Sequence, residues 1–325
     1  MPLRHEAVPR HHAGAQALSS AATTMSFPDP PLHWGAESLW QQLRPLLPGL
    51  SVEVVERTVS TNTALLERAR VLGRPDPENA EVLVQRSVES AAFGRRAADI
   101  QPCLLVAEHQ SGGRGRQGRS WHSAPGASLT FSLALPLDCA DWSGLSLAIG
   151  LALAEALDPP AGDAPVRIGL KWPNDLWLMD GPGAGRKLGG VLIETVAAGQ
   201  KRLAVIGVGL NVLPIDAAQV STGFACLQEL DPHADAPGVL ARVAVPLARA
   251  LRRFEAEGFA GFVPAYARRD LLLGRAVRTT LADAPEGTAC GVDAHGALRL
   301  QTPLGLVEVS SGEVSVRLDG DSTVG

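Results

Sequence analysis

Four apolar segments follow one another between positions 166 and 212 with no spacer long enough for a crossover helix. No other feature of the chain restricts its architecture more. Residues 166–171, 175–179, 188–196 and 203–212 are rich in Val, Ile and Leu. Turn residues separate them, including the run Gly181-Pro182-Gly183-Ala184-Gly185. Parallel strands need a long crossover connection, so strands this closely spaced imply a mixed or antiparallel sheet and not repeating βαβ units. Further strands are expected at 51–59, 103–107 and 128–135, and apolar helical spacing marks 38–43, 62–71, 143–157, 239–257 and 262–272. Beyond Gly274 the texture changes to short alternating segments at 276–281, 287–292, 297–301, 306–310 and 313–318, with Asp293-Ala294-His295-Gly296 as a hairpin turn. The expected fold class is α+β, a central mixed or antiparallel sheet with helices plus a small C-terminal β-barrel. The expected organisation is a disordered tail over 1–34, a main domain over 35–273 and the barrel over 274–325. The tail is rich in Ala, His, Ser and Pro, and Met25 is an alternative start within it. Residues 74–101 read as an insertion of loop and short helix.

Composition narrows the function classes. The chain has 325 residues, 46% hydrophobic and 19% charged, which is ample material for a core. Its formal net charge of -5 gives no support to a life on phosphate backbones, although a local basic patch stays open. Cys103, Cys139, Cys226 and Cys290 show neither metal-ligand nor redox-motif spacing, so they read as thiols in a reducing compartment. His11-His12 has no ligand set around it and reads as solvated tail, and no metal site is expected from the protein's own residues. No apolar run reaches the length of a membrane span, and the N-terminus lacks the apolar core of a secretory signal. A cytoplasmic location is the default.

The chemistry concentrates in a few motifs. Gly112-Gly113-Arg114-Gly115-Arg116-Gln117-Gly118-Arg119 follows an expected strand. Glycine lets backbone approach a ligand closely, and arginine stays charged and grips phosphate or carboxylate in a fork. The run therefore suits an anion held by a mobile loop. The alternative is an RGG-like nucleic-acid tail, but such tails are long, repetitive and disordered. It is not a Walker A loop, because the Gly-Lys-Ser/Thr ending is missing, nor a dinucleotide fingerprint, because no helix follows. Lys171-Trp172-Pro173-Asn174-Asp175 ends an apolar strand, where Lys171 can neutralise charge developing between a carboxylate and an α-phosphate. Taken alone it also reads as a surface lysine beside a turn. Lys187 and the glycines of Lys187-Leu188-Gly189-Gly190 suit a phosphate contact and close ligand approach. Gly207 and Gly209 lie on one face of a strand, which calls for something packed close, a flat ligand or a helix. Ser60-Thr61-Asn62 sits where a strand meets a helix, a place for N-capping that is compatible with ligand contact.

Together these motifs resemble the bacterial biotin–protein ligases. Ser60-Thr61-Asn62, Glu108-His109-Gln110 leading into the Gly/Arg run, Lys171-Trp172-Pro173-Asn174-Asp175, Lys187-Leu188-Gly189-Gly190 and Gly207-Val208-Gly209-Leu210-Asn211 occur in that family's order and spacing. Gly291-Val292-Asp293 and Gly312-Glu313-Val314-Ser315 match its small SH3-like barrel. The resemblance implies the class II synthetase-like catalytic fold and a two-step reaction. Biotin's carboxylate attacks the α-phosphate of ATP, and a lysine of a biotin carboxyl carrier protein then attacks the biotinyl-adenylate. It implies Lys171, Arg114 and Arg116 as catalytic groups, and Ser60, Thr61, Asn62, Gln110, Arg114, Gly115, Arg116, Lys171 and Gly190 around biotin. Arg119, Trp121, Asn174, Lys187 and Asn211 fall on the nucleotide side, and Mg2+ accompanies the triphosphate.

Some family members carry an N-terminal winged helix-turn-helix and repress biotin genes. A folded domain of that kind needs roughly 50 residues with a core of its own. The tail lacks that periodicity, so the expectation is a ligase without the repressor domain and without DNA binding. Lipoate–protein ligase shares the fold and the adenylate chemistry and is the nearest enzymatic alternative; a biotin-sensing repressor is the non-enzymatic one. Family enzymes can pair through the sheet edge, so a homodimer stays open.

Overall fold

The alternation of strand residues builds a sheet with two unequal faces. The computed structural model describes residues 32–72, 92–93, 101–162, 164–181, 184–198, 201–215, 223–310 and 316–318. Residues 1–31 (with His11-His12 and Met25), nearly all of the 74–101 insertion, the centre of the 181–185 loop and the 312–315 motif lie outside them.

The main sheet has eight strands: β1 (Ser51–Thr58), β2 (Ala92–Phe93), β3 (Cys103–Gln110), β6 (Ser128–Pro136), β7 (Ile168–Lys171), β8 (Asp175–Gly181), β9 (Ala184–Ala198) and β10 (Lys201–Asn211). Their order is β2-β1-β3-β6-β10-β9-β8-β7. Only β1 and β3 pair in parallel, across the long connection that contains helix α2 (Thr61–Leu72). Every other pairing is antiparallel, as the closely spaced strands require. Strand residues split by parity. Leu104 and Val106 face the larger core with α1 (Ala36–Leu43), α3 (Leu145–Leu157) and α4 (Ala236–Glu257). Cys103, Leu105, Ala134 and Val205 face α2 with its Leu65, Leu66 and Ala69. Helix α3 is apolar nearly all round because the sheet and α4 enclose it. No helix among the described residues is long and apolar enough to cross a membrane.

The C-terminal strands β11 (Ala276–Thr279), β12 (Glu286–Val292), β13 (Leu298–Thr302), β14 (Gly305–Val309) and β15 (Val316–Leu318) form a second, five-stranded antiparallel sheet in the order β14-β13-β12-β11-β15. Leu298 and Leu300 join the same core as the main sheet.

Two expectations need correction. The helix expected over 262–272 stops early: a 3-10 turn at Ala260–Phe262 leads into α5, which spans only Val263–Ala267. The chain then extends along edge strand β7, where Leu170 N–H donates to Arg269 O at 2.7 Å and Leu271 N–H donates to Leu170 O at 2.9 Å. An edge strand's unpaired backbone groups outcompete a helical continuation here. The Gly/Arg run is not a featureless loop. It forms a small hairpin of β4 (Gly113–Arg114), a 3-10 turn (Arg116–Gly118) and β5 (Ser120–Trp121). Gln117 takes a left-handed φ of 56° at its tip, followed by Gly118 at 70°.

Candidate active site

On the α2 face, parity positions that are apolar under the helix become small or polar beyond its N-terminus. Along β10, Val205 is covered by α2, and Gly207 and Gly209 follow on the same face. A side chain at Gly207 would collide with Asn62 Oδ1, and a Cβ at Gly209 would stand 2.5 Å from Trp121 Cε2. The first turn of α2 and an indole, both parts of the protein, therefore fill the space that a flat ligand was expected to need.

A cavity of about 750 Å³ opens here, between the Gly/Arg hairpin, the start of α2 and the C-terminal ends of β7 and β10. Ser60, Thr61, Asn62, Gln110, Arg114, Gly115, Arg116, Arg119, Trp121, Lys171, Asn174, Lys187, Gly190 and Asn211 all lie on its wall. Among the described residues, Arg114, Arg116, Arg119, Lys171, Lys187 and Arg317 line it against one carboxylate, Asp175. In a chain of net charge -5, that local excess of cations suits an anion.

The polar wall is prearranged. Ser60 Oγ accepts from Thr63 N–H at 3.4 Å, the N-cap contact expected for it. Gln110 Oε1 accepts from Thr61 N–H at 2.7 Å and from Thr61 Oγ1 at 3.1 Å. Ser132 Oγ lies 2.6 Å from both Thr61 Oγ1 and Asn62 Oδ1. Glu194 Oε2 accepts from Asn62 Nδ2 at 2.9 Å and from Arg114 at 2.6 Å, tying the hairpin to β9. Ser132 and Glu194 escaped sequence reasoning. The available signal was a polar and a charged residue inside otherwise apolar strands.

At the other end, Lys171 is 8% exposed, and its Nζ stands 4.3 Å from the centre of the Trp177 ring, a cation–π contact. Lys187 pairs with Asp175 at 2.8 Å. Burial lowers the Arg116 guanidinium from its usual value; Asp175 opposes that shift and Arg119 adds to it. The amides of Asn174 and Asn211 are engaged by backbone carbonyls, of Val191 at 2.7 Å and of Lys187 and Ala225 at 3.2 and 3.0 Å. Both asparagines therefore hold the wall in shape, whatever else they contact. Val316 and Arg317 of β15 also reach the cavity, a contribution that only tertiary structure reveals. No cluster of three metal-ligating side chains occurs among the described residues.

Residues 97–211 match the biotin/lipoate A/B protein ligase family and residues 272–317 the biotin protein ligase C-terminal domain. The biotin–[acetyl-CoA-carboxylase] ligase of Mycobacterium tuberculosis is 33% identical, over 86% of this chain and 91% of that protein. A biotin protein ligase from Aquifex aeolicus, solved in complex with biotin and ATP, superposes with a TM-score of 0.62 at 25% identity, covering 82% of this chain and 99% of that one. The bifunctional ligase/repressor BirA of Escherichia coli is 34% identical over 78% of each chain. With family models matching both the main sheet and the C-terminal sheet, and 33% identity to a biotin–[acetyl-CoA-carboxylase] ligase over 91% of its length, the chain belongs to the biotin protein ligase family.

Proposed function

We propose that the chain is an ATP-dependent ligase that converts biotin and ATP to biotinyl-adenylate and transfers biotin to a lysine of a biotin carboxyl carrier protein. One observation carries the reading: a single cavity joins a prearranged neutral polar wall to a cluster of cations with Lys171 at its far end. A neutral polar head group fits the Ser60–Asn62 and Gln110 end, and a polyphosphate fits the cationic end.

In the first step a biotin carboxylate oxygen forms a bond to the α-phosphorus, and the bond to the bridging oxygen breaks with release of pyrophosphate. Lys171 stabilises the charge that builds between carboxylate and phosphate, while Arg114 and Arg116 hold the anion. Trp121, Arg119, Asn174, Lys187 and Asn211 shape the nucleotide side. In the second step a carrier lysine amine attacks the acyl carbon, loses its proton, and AMP departs. Mg2+ enters with ATP as part of the substrate.

The adenylate is reactive and must be kept from water and bystander amines. The hairpin carrying Arg116 lies over the cavity as the retaining element, so Arg116→Gly is expected to release adenylate and raise stray biotinylation of an added bystander protein. No rise over wild type counts against the lid role. Gly209→Ala pushes a methyl into the Trp121 indole. It is expected to raise KM for ATP about tenfold with little change in biotin affinity. An unchanged KM for ATP would remove Trp121 from the nucleotide side.

The decisive experiment is ATP-dependent transfer of labelled biotin to a purified carrier domain, alongside ATP–pyrophosphate exchange driven by biotin or by lipoate. Exchange driven only by lipoate would overturn the reading.

A further inference from the structure

The C-terminal sheet reaches back to the Lys171 segment on both sides of that residue. On one side, the segment leading into that sheet pairs with β7 through Arg269 O and Leu271 N–H, both bonded to Leu170. On the other, Trp172 is 1% exposed and its indole Nε1 donates to Gly296 O at 3.0 Å. Gly296 belongs to the turn between β12 and β13. Asp293 Oδ1 sets that turn by accepting His295 N–H and Ala297 N–H, each at 2.8 Å. Gly296 has φ of 79°, and a Cβ there would stand 2.6 Å from Gly144 Cα. Next to it, His295 Nδ1 lies 3.0 Å from Asp141 Oδ2. Ser146, in the first turn of α3, donates to Pro173 O at 3.0 Å.

We propose that the 293–296 turn is a positioning element for adenylate formation, acting on Lys171 through Trp172. The inference rests on the role given to Lys171 above. Lys171 is the last residue of its strand, and the chain leaves the sheet at Trp172. The β7–β8 ladder holds Lys171 opposite Asp175, at the point where the chain turns away from β7. The buried indole, anchored by its N–H to the turn, fixes the residue next to Lys171, while Ser146 and Val191 hold Pro173 and Asn174 beyond it. A cation that must meet charge developing at one oxygen tolerates little displacement, since a shift of about 1 Å can cost up to ~100-fold in rate.

The test uses the full chain, with biotin-dependent ATP–pyrophosphate exchange and biotin affinity as paired readouts. Asp293 does not line the cavity. Asp293→Ala removes both side-chain bonds of the turn, leaves its two backbone bonds, and is expected to lower kcat about tenfold while biotin Kd stays within about twofold. Asp293→Asn keeps an acceptor oxygen and is expected to restore kcat. Trp172→Phe keeps an aromatic ring but loses the N–H and is expected to show a similar loss; adding Asp293→Ala to it costs little more, because both act through one contact. A wild-type protein without biotin-dependent exchange would remove the proposed function itself. An active wild type whose Asp293→Ala variant keeps kcat within about twofold overturns only the coupling. So does a double variant showing both losses in full, or a kcat loss that follows biotin affinity and folded fraction downward.

Discussion

Lys171→Ala is expected to lower biotin-dependent ATP–pyrophosphate exchange by about 10²–10³-fold, the range for removing one preorganised charge from a developing anion. Lys171 is nearly buried at a strand end, with its ammonium over the Trp177 face and inside the cavity wall. Low-dielectric surroundings make such a charge worth more than it would be in water. The fold should persist, because Lys171 pairs with Asp175 through the β7–β8 backbone ladder, which alanine retains. Lys171→Arg keeps the charge but replaces a point cation by a wide planar fork, so only partial activity is expected. Pyrophosphate release near the wild-type rate by Lys171→Ala would sink the assignment.

Arg269→Ala is expected to destabilise the protein by about 3–5 kcal/mol, measured by urea unfolding. The Arg269 side chain is 2% exposed and pairs with Asp158 at 2.8 Å. It also donates to the carbonyls of Ile168, at 2.9 Å, and of Asp158. Truncation leaves two carbonyls without their donor and a mostly covered carboxylate with only the Arg167 and Ile168 N–H groups. Burial works against ionisation of Asp158. Hydrogen bonds from Ile168 N–H, Arg269 and Arg167 N–H outweigh it and hold the carboxyl below its usual range. A carboxylate depressed in the folded state stabilises above its unfolded pKa of about 3.9, and that contribution is lost as pH falls through the folded value. The gap between wild type and variant should thus stay level from about pH 8 to 5 and narrow below about 4. Asp158→Asn combined with Arg269→Met leaves no buried charge and should recover much of the loss. A cost under about 1 kcal/mol for Arg269→Ala would contradict the account.

Much of the site was legible because its chemistry is local in sequence. Glycines and arginines two or three residues apart announce an anion contact wherever the chain places them, and Lys171 at the end of an apolar strand implied a position at a sheet's rim. Periodicity marked most of the strands because side-chain alternation is a property of the strand itself. It failed at 262–272, where apolar residues at helical spacing continue past the point at which Arg269 and Asp270 are drawn to the edge of β7. Competition from a strand more than ninety residues away leaves no local trace.

The same division holds for the molecule as a whole. Its sequence by itself determined a mixed sheet without βαβ units, a second small sheet at the C-terminal end, and residue types suited to an anion. Only the tertiary structure decided that Asn62 and Trp121 occupy the faces of Gly207 and Gly209, and that Glu194 ties Arg114 to β9. It alone showed that a C-terminal turn secures Trp172 beside Lys171. These are pairings between residues dozens to more than a hundred positions apart, set by strand order and close packing. A linear pattern records what each residue can do, and packing decides which partner it meets.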